Sequence, residues 1–502
     1  MRNSLPLYLM LAAFAAACIG APAYQPPSVR VAPAYSAVAR ESARPSAADS
    51  SRPSSRTSVT AISSQSGTDA VARSAQYSTA VSAAPFWRDL GDPTLTRLIE
   101  EALRTSTDVS AAEARVTGAR ATRRVSSFDL APTITAVGSA MRQRSSIAQL
   151  PGLTSQLPQQ TLYDVGFDAS WELDVFGRVN RTVNAYHTLA VSAEHGLRDV
   201  QVTLAAEVAR TYFELRGAEQ QLAVARRNSE NQRRTVSLTE DRLTAGRGTA
   251  FDTERAKSSL SLTLAAIPIL ESRIAADRNR IATLVGRAAG TLPAEWLPAG
   301  DLPTLPDTVR IGSPTQLVRQ RPDVLSAERQ LAAQSQFVGA AQSEYLPRLS
   351  LAANAGYLAT AFDSLSRNGT SRFVAGPVLS WPLLDLGRVR ARVDVAHANE
   401  DAAKAQYSAT VLRAVEETET SLVTYDRAHA RLALLNEAVR ASTRASELAQ
   451  QRFEAGLTDF LQVLDAQRTQ LDAENQLAQA HTAAATSLVA VYKAVGGTWP
   501  IR

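Results

Sequence analysis

The chain has 502 residues, 45% of them hydrophobic, 20% charged and only 6% aromatic, with alanine abundant. That is too apolar for a disordered chain, and it suits long helices packed through small residues better than an aromatic-rich globule. Of the formal charge of +5, Arg2 carries one unit and residues 21–84 carry three, through six arginines against Glu41, Asp49 and Asp69. About one unit is left for the rest of the chain, which excludes a nucleic-acid-binding surface.

Arg2 precedes an apolar stretch over residues 5–17 that ends in Ala15-Ala16-Ala17-Cys18. A positive n-region, a short apolar run and small residues before a cut predict a signal peptide over 1–17, too short to remain as a spanning helix. Cys18 is the only cysteine, so no internal disulfide and no cysteine metal site exists. Its position predicts a lipid acceptor, although Ala15 stands where such a signal usually has Leu; the alternative is ordinary cleavage after Ala17. Residues 18–84, rich in Ser, Ala, Pro and Arg without periodicity, are expected to be a lipid-anchored flexible tether. The five histidines are scattered, and no zinc-helix, phosphate-loop or nucleophile-elbow motif occurs. The expectation is therefore a chain without enzymatic activity, metal or cofactor.

The body is duplicated. Ser170, Trp171, Gly177 and Arg178 recur 210 residues later as Ser380, Trp381, Gly387 and Arg388. The same offset carries Leu238, Arg242, Ala245 and Gly246 onto Leu448, Arg452, Ala455 and Gly456. An offset of 215 relates Asp108, Ala112, Glu113 and Pro132 to Asp323, Ala327, Glu328 and Pro347. This predicts two repeats of helix, strand, strand, long helix and helix, over residues 85–300 and 301–499.

From Tyr163 to Val175 every odd position is apolar or small, while the even ones include Asp164, Asp168, Glu172 and Asp174. Such alternation is a strand with water on one side and an apolar medium on the other. Residues 347–358 and 373–383 alternate more weakly, and 133–140 most weakly. Lipid outside and water inside would make this a membrane β-barrel, with Trp171 and Trp381 near an interface. A barrel needs at least about eight strands, so four per chain would require oligomerisation.

No Gly or Pro falls between Gly387 and Gly456, and the equivalent run from Arg178 to Ala245 contains only Gly196 and Gly217. Each run predicts a helix about 100 Å long at 1.5 Å per residue. Leu204, Val208, Thr211, Leu215, Ala218, Leu222 and Ala225 form a coiled-coil seam, as do Val411, Val415, Thr418, Leu422 and Tyr425. Gly246 and Gly456 are expected to end the long helices, and Thr249 and Asp459 to cap the next ones.

Four ordered motifs carry a resemblance: Phe86-Trp87 with Asp92-Pro93 and Leu95; Arg321-Pro322-Asp323-Val324 with Ala327-Glu328; Trp381-Pro382 with Asp385 and Gly387; and Arg452-Phe453 with Ala455-Gly456 through Gln467. Over about residues 85–499 the chain resembles the TolC-type outer membrane factors, in particular the NodT/OprM-like lipoproteins of RND efflux systems. The resemblance implies a mainly α chain with a membrane β part, assembled as a homotrimer. Twelve strands would form one barrel in outer membrane lipid, continued by a long helical barrel in the periplasm. It also implies a periplasmic adaptor (membrane fusion) protein and an inner-membrane RND pump as partners, and passive export of small toxic compounds. Gly246, Gly248, Gly456 and Thr458 would be hairpin tips for adaptor contact, and Leu461, Asp465 and Arg468 a pore constriction. Gln462 stands where some relatives carry a second acid, and Glu474 is expected on the outer face of the same helix. The alternatives are an exit duct for type I protein secretion and a lipid-tethered periplasmic coiled-coil structural protein.

Overall fold

The computed structural model describes residues 27, 32, 34–35, 76–78, 85–144, 158–306 and 308–497. The signal peptide, Cys18 and nearly all of the stretch 18–84 lie outside the described residues. Two parts of that stretch are nevertheless anchored: Tyr35 is buried, and Gln76–Ser78 form strand β1. β1 pairs in parallel with β4 (Thr308–Arg310), and the Tyr77 hydroxyl donates to the Leu422 carbonyl at 3.1 Å. At these residues a strand partner and a buried aromatic offset the ordering entropy locally.

The first half opens with α1 (Phe86–Asp89) and α2 (Pro93–Thr105). Asp92 caps α2, accepting from Thr94 N–H at 2.8 Å and Leu95 N–H at 3.0 Å, and Pro93 occupies the first helical position, where its missing donor costs nothing. Leu95, Leu98, Ile99 and Ala102 then bury one stripe of the helix. α3 (Thr107–Phe128) leads to strands β2 (Thr133–Gln143) and β3 (Gln160–Leu173), followed by α4 (Arg178–Thr244) and α5 (Ala250–Leu284). The second half runs α6 (Pro314–Gln320), α7 (Pro322–Gln342), β5 (Arg348–Ala359), β6 (Ser371–Ser380), α8 (Leu386–Glu454) and α9 (Phe460–Ala494).

One compact unit contains residues Ala114–Glu194 and Ser326–Ser408. Its centre is an open antiparallel sheet in the order β2-β3-β5-β6. β2 pairs with β3 along its whole length, although its own alternation is poor; β3's strong two-sided pattern fixes the register for both. β3 ends at Leu173, so Val175 lies beyond the alternating strand.

The other unit contains Val29–Glu113, His195–Leu325 and Ala409–Arg502. Its core is the two seams: Val208, Leu215, Ala218, Val411, Thr418, Leu422 and Tyr425 are all buried. Gly217 lets α4 pack against α9, since a Cβ there would lie 1.9 Å from Thr482 Oγ1.

Candidate functional site

Within the strand unit, period two and the register give the sheet two chemically different faces. One carries the rows Ala136–Phe167–Ala355–Phe373 and Gly138–Val165–Tyr357, with Ile134, Leu351 and Leu379 around them. It is uncovered, with Phe167 61% and Phe373 81% exposed. Near its helix-side end, Trp171 donates its indole N–H to the Leu130 carbonyl at 3.0 Å, and Trp381 does the same to Tyr345 at 3.0 Å. The two tryptophans are thus placed alike, each where a strand meets the helix before the hairpin.

The opposite face is polar along β3, with Val374 and Val378 of β6 also on it. Arg372 of β6 stands opposite Gly356 of β5, which faces Gly166 of β3. A Cβ on Gly356 would lie 2.4 Å from the Val165 carbonyl oxygen, so this row must be glycine. With no β5 side chain in the way, the Arg372 guanidinium crosses to β3. Its Nη2 donates to both Asp164 oxygens at 2.6 and 2.7 Å, and its Nη1 to Asn354 Oδ1 at 2.8 Å. Further along, Arg178 forks onto Glu172 at 2.9 and 2.6 Å. Asp174 accepts from Val179 N–H at 2.9 Å and Asn180 N–H at 2.7 Å at the start of α4. Asp168 makes no ion pair and no side-chain hydrogen bond among the described residues.

The helical unit holds both hairpin tips. Gly246 and Gly456 adopt φ of +72° and +73°, and the residues after them close back on the helix: Arg247 N–H to the Arg242 carbonyl, Leu457 N–H to that of Arg452, each at 2.8 Å. These are Schellman ends that only glycine forms without strain. Gly248 packs against the backbone of Leu243. Thr249 and Asp459 cap the following helices through Asp252 N–H and Gln462 N–H, both at 3.2 Å. Thr458 donates to the Gln462 side chain at 2.6 Å, so Gln462 braces the turn. Arg242 ties the two tips together: its guanidinium lies 3.8 Å over the Phe453 ring and donates to the Phe453 carbonyl at 2.9 Å. Phe453 packs in turn with Phe460, Val463 and Ala256.

Leu461, Asp465 and Arg468 are exposed along one side of α9, as their spacing requires. Asp465 and Arg468 form no ion pair with each other within the chain; Arg468 borders a groove with Leu262, Asp472 and Asn475. Glu474 is not a free outer carboxylate. It accepts from Arg227 at 3.0 Å, Asn228 at 3.1 Å and Gln470 at 2.9 Å, joining α4 to α9.

The remaining polar networks are architectural. Asp92 also accepts the Tyr212 hydroxyl at 2.6 Å, and burial followed by that bond pushes the Tyr212 pKa upward. The buried Arg216 lies over the Tyr212 ring at 4.8 Å and pairs with Glu219 at 2.7 Å. In the Arg321-Pro322-Asp323 motif, Arg321 binds Asp323 and Glu417 at 2.8 and 2.7 Å and donates to the Ala494 carbonyl at 2.9 Å, clamping the end of α9. No group of three metal-ligating side chains comes together among the described residues. Sequence reasoning did not single out Arg372 and Asn354: the partner of Arg372 is 208 residues away, and only its polar place in β6 hinted at a role.

Residues 98–287 and 314–497 match the outer membrane efflux protein family. The toluene efflux pump outer membrane protein TtgI of Pseudomonas putida is 30% identical over 415 residues, covering 82% of this chain and 86% of that protein. Outer membrane protein OprJ of Pseudomonas aeruginosa is 30% identical over 411 residues, 81% of this chain and 85% of that one. Among solved structures, the outer-membrane channel OprN aligns with a TM-score of 0.80 and 37% identity, over 89% of this chain and 98% of that chain. VceC of Vibrio cholerae aligns with a TM-score of 0.75 and 25% identity, over 83% and 99%.

Proposed function

The chain belongs to the outer membrane efflux protein family and is the outer membrane exit duct of a tripartite efflux system, and we propose that it works as a homotrimer passing small organic compounds from an inner-membrane RND pump and a periplasmic adaptor. The observation that carries this is the open, two-faced sheet. Among the described residues both β2 and β6 are unpaired edges, and such edges are templates for another strand. The four strands alternate in direction, so β6 of one chain is antiparallel to β2 of the next. Three copies then close twelve strands with no edge left, the apolar rows facing lipid and the polar rows facing water.

A second feature supports self-association. α5 is, by length and apolarity, the one helix among the described residues able to cross a membrane, yet its apolar window is only 6% buried. Leu262 and Ile269 are 73% and 72% exposed, a stripe that neighbouring chains would cover. The braced tips at Gly246, Gly248, Gly456 and Thr458 would receive the adaptor, and Leu461, Asp465 and Arg468 would narrow the mouth beside them. Cys18 would carry the lipid anchor. The duct has no chemistry of its own; the relatives named for toluene and solvent point to apolar cargo chosen by the pump.

The test is extraction and conductance. A barrel stays with outer membranes washed in urea or high salt, and the detergent-purified protein opens ion-conducting pores in planar bilayers as a trimer. Release by the wash with no conductance would leave a lipid-tethered rod instead.

A further inference from the structure

We propose that Asp168 sets a cation preference in the strand part of the duct, because among the described residues it is the one acidic group on the polar face of β3 without a compensating partner. This rests on the barrel reading above. Asp164, Asp168 and Glu172 lie four residues apart, about 14 Å at roughly 3.4 Å per residue. Asp164 is neutralised by Arg372 and Glu172 by Arg178, while Asp174 is taken up by the first N–H groups of α4. Asp168 stands between two closed ion pairs, with Thr135 and Asn354 directly beside it in the row and Val374 beyond, none of them a cation.

Arg372 keeps the count at one. It reaches Asp164 only because Gly356 and Gly166 leave a bare strip across β5, so the glycine pair and the arginine form a single device. In a trimer the result is a ring of three carboxylates facing water, and rings of like charge favour counter-ions in a pore. The ring lies in the strand unit and is therefore distinct from any ring made by Asp465 in the helical unit. Its reach follows the Debye length, about 30 Å at 0.01 M salt and about 3 Å at 1 M. The preference is accordingly strong in dilute salt and screened in concentrated salt.

The experiment is the reversal potential of purified full-length channels in KCl gradients, once centred near 0.01 M and once near 1 M. Asp168→Asn should shift it toward anions in dilute salt and leave it unchanged in concentrated salt. Arg372→Gln, which frees Asp164, should shift it toward cations, and Asp164→Asn with Arg372→Gln should return it to the wild-type value. Phe167→Leu, one residue away on the apolar face, should shift nothing. Conducting trimers whose reversal potential at 0.01 M is the same for wild type and Asp168→Asn would overturn the assignment and leave the duct intact. Failure of the wild type itself to conduct would overturn the barrel, and the assignment with it.

Discussion

Gly217→Ala and Gly118→Ala are the same substitution in two helix interiors, and the structure gives them opposite signs. Helix propensity alone favours alanine over glycine by about 1 kcal/mol at either site. At Gly118, in α3, a Cβ would meet nothing within 4 Å, so that gain survives. At Gly217 the Cβ would stand 1.9 Å from Thr482 Oγ1, 2.8 Å from its Cγ2 and 2.9 Å from its Cβ. Rotating Thr482 cannot relieve a contact that includes its Cβ, and it would also break the hydroxyl's bond to the Ala478 carbonyl at 3.0 Å. α4 and α9 must move apart, and overpacking of this kind costs about 1–3 kcal/mol or more. With a cost at the upper part of that range the clash outweighs the propensity gain, for a net loss of up to about 2 kcal/mol per chain. Thermal unfolding of the detergent-solubilised protein, followed by circular dichroism, should show Gly118→Ala melting at or above wild type and Gly217→Ala below it. Thr482→Gly should recover much of the loss in the Gly217→Ala background. A Gly217→Ala protein that melts higher than wild type would refute the close approach of the two helices.

Phe167→Asp, at mid-strand on the apolar face, should abolish stable insertion in urea-washed outer membranes, since a charge facing lipid there costs about 2–4 kcal/mol for a basic residue and less for an acidic one, repeated in each of three chains. The mid-strand position is the proper test, because Trp171 lies near the strand end with its indole bonded to Leu130. Asp465→Ala combined with Arg468→Ala should raise single-channel conductance and make hosts more permeable to a bulky antibiotic; unchanged conductance would place the constriction elsewhere. Burial raises the pKa of Tyr35, Tyr212 and Tyr492, the last to about 12. Each favours the folded state fully below the ordinary tyrosine pKa of about 10 and loses that contribution as pH rises toward its folded value. Absorbance at 295 nm should therefore show a late-ionising group of tyrosines, and stability should fall in step above pH about 10. Cys18→Ser should abolish palmitate labelling while the protein, given an ordinary cleavage site, still reaches the outer membrane; recovery in the soluble periplasm would mean that the strands do not suffice.

What was legible in the sequence is what repeats over short distances. The long helices end at Gly246 and Gly456 as expected, because a left-handed terminus and a cap three residues on are local requirements. Asp92-Pro93 announced its helix for the same reason. Gly217 was visible as an interruption of α4, but its cause, Thr482, lies on another helix more than half the chain away. β2 shows the same limit from the other side: its own residues hardly alternate, and it is a full strand because β3 imposes the register. Charge is where local reading misleads most. Asp164, Asp168, Glu172 and Asp174 make β3 read as a strongly acidic face. Only the register, which brings Arg372 across a bare glycine strip, and the chain reversal that turns Arg178 and the start of α4 back on Glu172 and Asp174, show that three of the four are spoken for. The field inside such a duct therefore cannot be obtained by counting carboxylates on alternating strands. It depends on which of them the neighbouring strands and helix ends have already neutralised, and here that leaves Asp168.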